Sequence, residues 1–137
     1  MAGETARLYA AVGLGSALGA LARYLCGLAA MALLGPAFPW GTLAVNVAGS
    51  LLIGLYASLS EPDGRLQPGP VQRQFVMAGF CGGFTTFSIF SLETLLLAGR
   101  GAFGLAGTFV VASVVLWLAA AWTGYRIGAK LNRLNRS

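Results

Sequence analysis

Charged side chains divide this sequence into long uncharged runs, at residues 8 to 22, 24 to 60, 74 to 92 and 101 to 125. A bilayer core takes about 20 mainly apolar residues per helix, so the pattern predicts four spans, at about residues 8–34, 40–59, 71–97 and 103–125. The first contains Arg23 and stops at a turn built on Gly35, Pro36 and Pro39. The second opens on Trp40 and ends before SEPDGRLQPGP, the longest polar segment. The third is punctured by GFCGGFTTF, and the fourth carries Trp117, Trp122 and Tyr125 toward its end, where an aromatic belt is expected. Four spans use most of the 137 residues, which leaves a single all-α transmembrane domain over residues 1–137.

Composition sharpens this reading. Apolar residues make up 57% and charged residues 9%, against roughly a quarter charged in a soluble domain, so a free-standing soluble protein is excluded. With no histidine, and with Cys26 and Cys81 in separate apolar stretches, neither a zinc site nor a disulfide framework is suggested. The net charge of +5 could point to nucleic acid, but Arg126, Lys130, Arg133 and Arg136 directly follow an apolar span. Contact with anionic membrane lipid is the better reading, and no nucleic-acid partner is expected. Glu4 precedes the first span and apolar character runs on to Leu34, which favours a retained helix over a cleaved signal. Nothing in the sequence forms a nucleotide motif or an acid, base and nucleophile constellation, so an enzyme is not expected.

Three polar features at membrane depth carry the candidate chemistry. In Gly79-Phe-Cys-Gly-Gly-Phe-Thr-Thr-Phe-Ser-Ile-Phe90, three glycines and two threonines would weaken a continuous helix. A break there would offer backbone dipoles to an ion, whereas a kink relieved by threonine hydroxyls would be purely structural. Beyond it, Phe87, Phe90, Ser91 and Thr94 share one helical face, so ring edges and hydroxyls could together hold a small anion. In the second span Asn46, Ser50 and Gly54 share a face; Asn46 serves either as a hydrogen bond between helices or as a neutral donor in a wet path. Arg23 should pair or lie near an interface, and Glu93, near a helix end, should be exposed. Gly15–Gly19 and Gly124–Gly128 are GxxxG pairs suited to close helix packing.

The segments GALARY, WGTLAVNVAGS and GFCGGFTTFSIF, in this order and spacing, resemble the fluoride channel family of small four-helix membrane proteins, and the likeness covers nearly the whole chain. The resemblance implies an antiparallel homodimer with two fluoride pores, a third helix broken at mid-membrane, and a central structural sodium ion (Na+). By position it implies sodium held by the carbonyls of Gly82 and Thr85, ring-edge phenylalanines Phe87 and Phe90, a pore amide at Asn46, and Arg23 in the family's first-span place. Pore hydroxyls would come from Thr86, Ser88 and Ser113, although TFVVASVVLW lacks the Tyr and Asn usual there. The implied activity is passive export of cytoplasmic fluoride across a bacterial plasma (inner) membrane.

Two other classes set the comparison. A small proton-coupled multidrug exporter needs a protonatable group in an early span, and the first two spans offer only Arg23; a structural assembly protein would not need a helix break. The distribution of charge argues in a different direction from the implied dimer. Arg7, Arg65, Arg73, Arg126, Lys130, Arg133 and Arg136 would share one side, with Arg100 alone opposite, a bias that favours one orientation with both termini inside.

Overall fold

A computed structural model describes residues 2–134, so Arg136 of the basic tail lies outside the described residues. The described chain contains four helical spans long and apolar enough to cross a membrane. Helix α1 covers Ala2–Leu34 and α2 covers Trp40–Leu59. The third span is segmented into α3 (Pro70–Gln74), a π-helical stretch (Phe75–Cys81), α4 (Gly82–Phe84) and α5 (Ser88–Gly99). Helix α6 covers Phe103–Leu134. The first and last helices therefore extend beyond the expected 8–34 and 103–125, because Ala- and Leu-rich sequence outside the apolar windows continues to favour helix.

Both short turns are set by glycine. Gly35 ends α1 at φ 74°, and its N–H donates to the Met31 carbonyl at 3.0 Å. Gly101, at φ 77°, closes α5 in a Schellman arrangement: its N–H reaches Ala98 at 2.9 Å and Ala102 N–H reaches Leu97 at 3.0 Å.

The spans meet through small residues. Both GxxxG pairs work within the chain, since methyls on Gly15 and Gly19 would collide with backbone of the third span, 2.8 Å from Phe80 N and 2.7 Å from Phe84 N respectively. Gly124 meets α2 in the same way, at Leu51 and, 2.9 Å away, Leu55 N. This backbone approach is the packing that apolar solvent permits, because lipid tails leave little hydrophobic force between helices. Larger side chains form one compact cluster, where Leu43, Phe90 and Phe109 are buried and Phe38, Leu97 and Trp117 pack around them. Elsewhere large apolar side chains such as Leu33, Leu95 and Leu118 point outward, as lipid contact requires.

Trp117 departs from the expected aromatic belt. Its ring meets Phe90 edge to face at 4.9 Å in the core, whereas Trp122 and Tyr125 are exposed and Arg126 lies over the Trp122 ring at 5.2 Å. One helical turn separates a packed residue from an interfacial one.

The close α2–α6 contact predicts an asymmetric response to a single methyl group. Gly124→Ala should cost about 1–3 kcal/mol through overpacking, whereas Gly107→Ala, with nothing within 4 Å of the new atom, should be neutral or stabilise the helix by up to about 1 kcal/mol. Thermal unfolding of the two variants in the same detergent measures the difference.

Candidate functional site

The third span changes character where its sequence loses helix-forming side chains. The π-helical stretch brings Gly79 against α1, where Ser16 Oγ donates to the Gly79 carbonyl at 3.4 Å. Thr85 then turns to extended backbone, at φ −83° and ψ 162°, and helix resumes at Ser88. The interruption at Thr85–Phe87 falls inside the GFCGGFTTF segment. Thr85 packs its methyl into the space beside Gly49, and its hydroxyl donates to the Cys81 carbonyl at 2.9 Å.

Asn46 closes the break from α2. Its Oδ1 accepts the Thr86 N–H at 2.7 Å and its Nδ2 donates to the Thr86 carbonyl at 2.8 Å, so one buried amide satisfies both backbone groups of one peptide residue. Of the two readings left open by the sequence, the hydrogen bond between helices is present, and a second Nδ2 hydrogen remains beyond this pair. Thr86 is buried as well; its Oγ1 accepts the Ile89 N–H at 3.2 Å and lies 3.3 Å from Ser88 Oγ. It thus takes up one of the first free N–H groups of α5 from the residue before the N-cap Phe87.

These side chains redirect particular donors. In an uninterrupted helix the Thr86 N–H would bond the Gly82 carbonyl, and the Ile89 N–H would bond that of Thr85. Both donors are taken by side-chain oxygens instead. Among the described residues, Gly82 and Thr85 are the two carbonyls at the break whose helical donors are captured in this way. Gly82 is exposed on the surface of the chain, and no atom lies nearer than 3.9 Å to the place a side chain would occupy.

The aromatic stripe is split between two environments. Phe87 is 72% exposed whereas Phe90 is 7% exposed, their ring centroids being 5.6 Å apart. Phe90 packs on Phe109 at 5.1 Å and Trp117 at 4.9 Å. The hydroxyls of Ser91 and Thr94 are not free to serve an anion as the sequence suggested: they donate to the carbonyls of Phe87 and Phe90 at 2.9 and 2.8 Å, the backbone bond open to any Ser or Thr within a helix. Across from them, Ser113 Oγ and Trp117 Nε1 are buried with no partner among the described residues. Trp117 escaped the sequence reading because proximity to the helix end suggested a belt; its spacing of four from Ser113 was the signal that places both on one face.

Two cavities bracket this stripe. One of about 290 Å³ lies at the break and is lined by Asn46, Gly82, Thr85, Thr86, Phe87 and Trp117. Another of about 520 Å³ opens near the α1–α2 turn and brings together Arg23, Thr42, Glu93 and Arg100. Arg23 is half-buried there, and Glu93 is half-buried too, with Oε2 enclosed rather than exposed as its position near a helix end suggested. No cluster of three or more His, Cys, Asp or Glu side chains that could hold a metal occurs among the described residues.

Residues 10–125 match the family described as CrcB-like protein, Camphor Resistance (CrcB). The chain belongs to the CrcB family. Similar curated proteins include Fluoride-specific ion channel FluC 1 of Bradyrhizobium diazoefficiens, 53% identical over 134 residues that cover 98% of this chain and 93% of the relative. FluC 1 of Rhodopseudomonas palustris is 51% identical, with 96% and 93% covered, and FluC of Opitutus terrae is also 51% identical, with 95% and 98% covered. As a four-span CrcB protein, the chain is a multi-pass protein of the bacterial plasma membrane.

For this CrcB protein the paired bonds of Asn46 predict a stability cost as well as any functional one. Asn46→Leu strands the Thr86 N–H and C=O in an apolar setting, at about 1–3 kcal/mol for each unsatisfied group. A lower thermal midpoint and faster amide exchange around Thr86 are expected.

Proposed function

We propose that this chain is a passive, fluoride-selective channel that exports cytoplasmic fluoride down its electrochemical gradient. The observation that carries the proposal is the likeness, at about half identity over nearly the whole chain, to proteins named fluoride-specific ion channels. Hydrogen fluoride enters as a neutral acid and ionises inside, so the trapped anion needs only a downhill route and no enzyme chemistry.

The site supports this chemistry. A small anion is strongly hydrated, and a dry path must replace that water with donors without adding a fixed charge that would trap it. Asn46, Ser88 and Ser113 supply neutral donors, and Phe87 and Phe90 supply positive ring edges. The unpartnered Ser113 and Trp117 groups would cost about 1–3 kcal/mol each in an empty apolar core, which a passing anion offsets. Arg23 and Arg100 at the larger cavity would raise local anion concentration at its mouth. Thr86 Oγ1 accepts the Ile89 N–H and keeps its own proton to donate, to Ser88 Oγ or to the anion.

The working assembly in this proposal is an antiparallel homodimer with two pores and a central Na+. The residues present fit such an ion: the Gly82 and Thr85 carbonyls have lost their helical donors, and two copies would bring four hard oxygen ligands together. When bound, the ion would supply positive charge beside the anion path. The basic bias of the chain opposes dual insertion, but the break needs a facing copy to complete the carbonyl set.

Liposomes carrying the purified protein should release fluoride when a potassium ionophore dissipates the potential, and should retain chloride; comparable chloride efflux would overturn selectivity. Replacing both Phe87 and Phe90 by Ile should lower fluoride flux at least about tenfold while folded protein is still recovered, since an apolar exchange of similar volume costs about 1.5 kcal/mol or less in stability. Orientation is checked separately in intact cells. With Asp63→Cys in a Cys26→Ser, Cys81→Ala background, an impermeant thiol reagent should modify about half the molecules. Uniform labelling or uniform protection would exclude the antiparallel homodimer and point to an unseen partner chain.

A further inference from the structure

We propose that Thr86 is a positioning residue whose hydroxyl oxygen, by capturing the Ile89 N–H, holds the Thr85 carbonyl available for a cation. The inference rests on the proposed central Na+ and adds how this chain builds the place for it. A carbonyl that already accepts an amide offers a cation a more crowded oxygen with one lone pair in use, and a helix normally supplies such an amide four residues along. For Thr85 that donor is Ile89, whose N–H points instead to Thr86 Oγ1 at 3.2 Å. For Gly82 it is Thr86 N–H, which Asn46 Oδ1 holds at 2.7 Å. Two side chains therefore vacate two carbonyls three residues apart, and both residues line the cavity at the break.

The Thr85 side chain reinforces the arrangement, because its hydroxyl bonds backward to Cys81 at 2.9 Å and does not turn onto its own carbonyl. Thr86 Oγ1 is thus a switch between two local structures. With it, α5 begins after Thr86 and Thr85 stays extended; without it, the Ile89 N–H is free to bond the Thr85 carbonyl and prolong α5 backward by a turn. A hydroxyl serving only as a cap would influence helix stability alone. One that vacates a ligand must also set affinity for the ion.

The test compares Thr86→Val, which keeps the shape but removes the acceptor, with Thr86→Ser, which keeps the acceptor. Na+ binding to the purified protein is read directly with radioactive sodium and through the rise in thermal midpoint as sodium replaces a bulky organic cation at constant ionic strength. The expected result is a half-saturating Na+ concentration raised about tenfold or more in Thr86→Val, the equivalent of one hydrogen bond competing at each carbonyl, and near the native value in Thr86→Ser. Equal Na+ affinity in all three proteins would overturn the role of Thr86 while leaving the central ion intact. Absence of Na+ binding in the unsubstituted protein would overturn the central ion itself, and this inference with it. Thr86→Ala is carried in parallel as a smaller change. Failure of both Val and Ala variants to fold, with Ser folded, also counts against the proposal, since a group needed only to vacate a carbonyl is dispensable for folding.

Discussion

Everything distinctive in this protein depends on satisfying backbone amides and carbonyls where no water is available. An uninterrupted helix does so internally, whereas a break in the hydrocarbon region leaves groups that cost several kcal/mol if unpaired. The third span breaks at Thr85–Phe87 and survives because Asn46 supplies both a donor and an acceptor to Thr86. Thr86 in turn caps the helix that follows. Two polar side chains on different spans thereby make a discontinuity tolerable.

Such a contact needs helices that approach closely and hold their register. Glycines 15 and 19 admit the third span to the backbone of α1, Gly49 leaves space for Thr85, and Gly124 brings α6 onto α2. Each removes the bulk that would otherwise keep two backbones apart. Asn46 meets Thr86 because α2 is held between these contacts. The glycines thus serve the polar pair, even though none of them offers a functional group.

The lining of the site is neutral by design. Amide, hydroxyl, indole and ring-edge groups carry partial rather than formal charges. Formal charges sit at the larger of the two cavities beside the aromatic stripe, where the lining includes Arg23, Arg100 and Glu93. Trp117 extends the neutral lining onto α6.

Four spans, their approximate limits and the fragile third helix were legible in the sequence because each reflects local chemistry: apolar length, glycine and proline at turns, and a run of residues unsuited to helix. Asn46, Thr85 and Thr86 could be singled out for the same reason, as polar groups in an apolar setting. Their partners could not. Whether Asn46 served a helix contact or a path depended on a residue 40 positions away, and whether Ser91 and Thr94 were free depended on rotamers that close bonds to their own backbone. Trp117 and Trp122 look alike along the chain, yet packing sends one into the core and leaves the other at the surface. The sequence by itself determined where polarity had to be accommodated, since transfer from water is a property of each residue; tertiary structure alone decided which groups accommodate it, since hydrogen bonds need two atoms within about 3 Å and that distance exists only after the helices have packed.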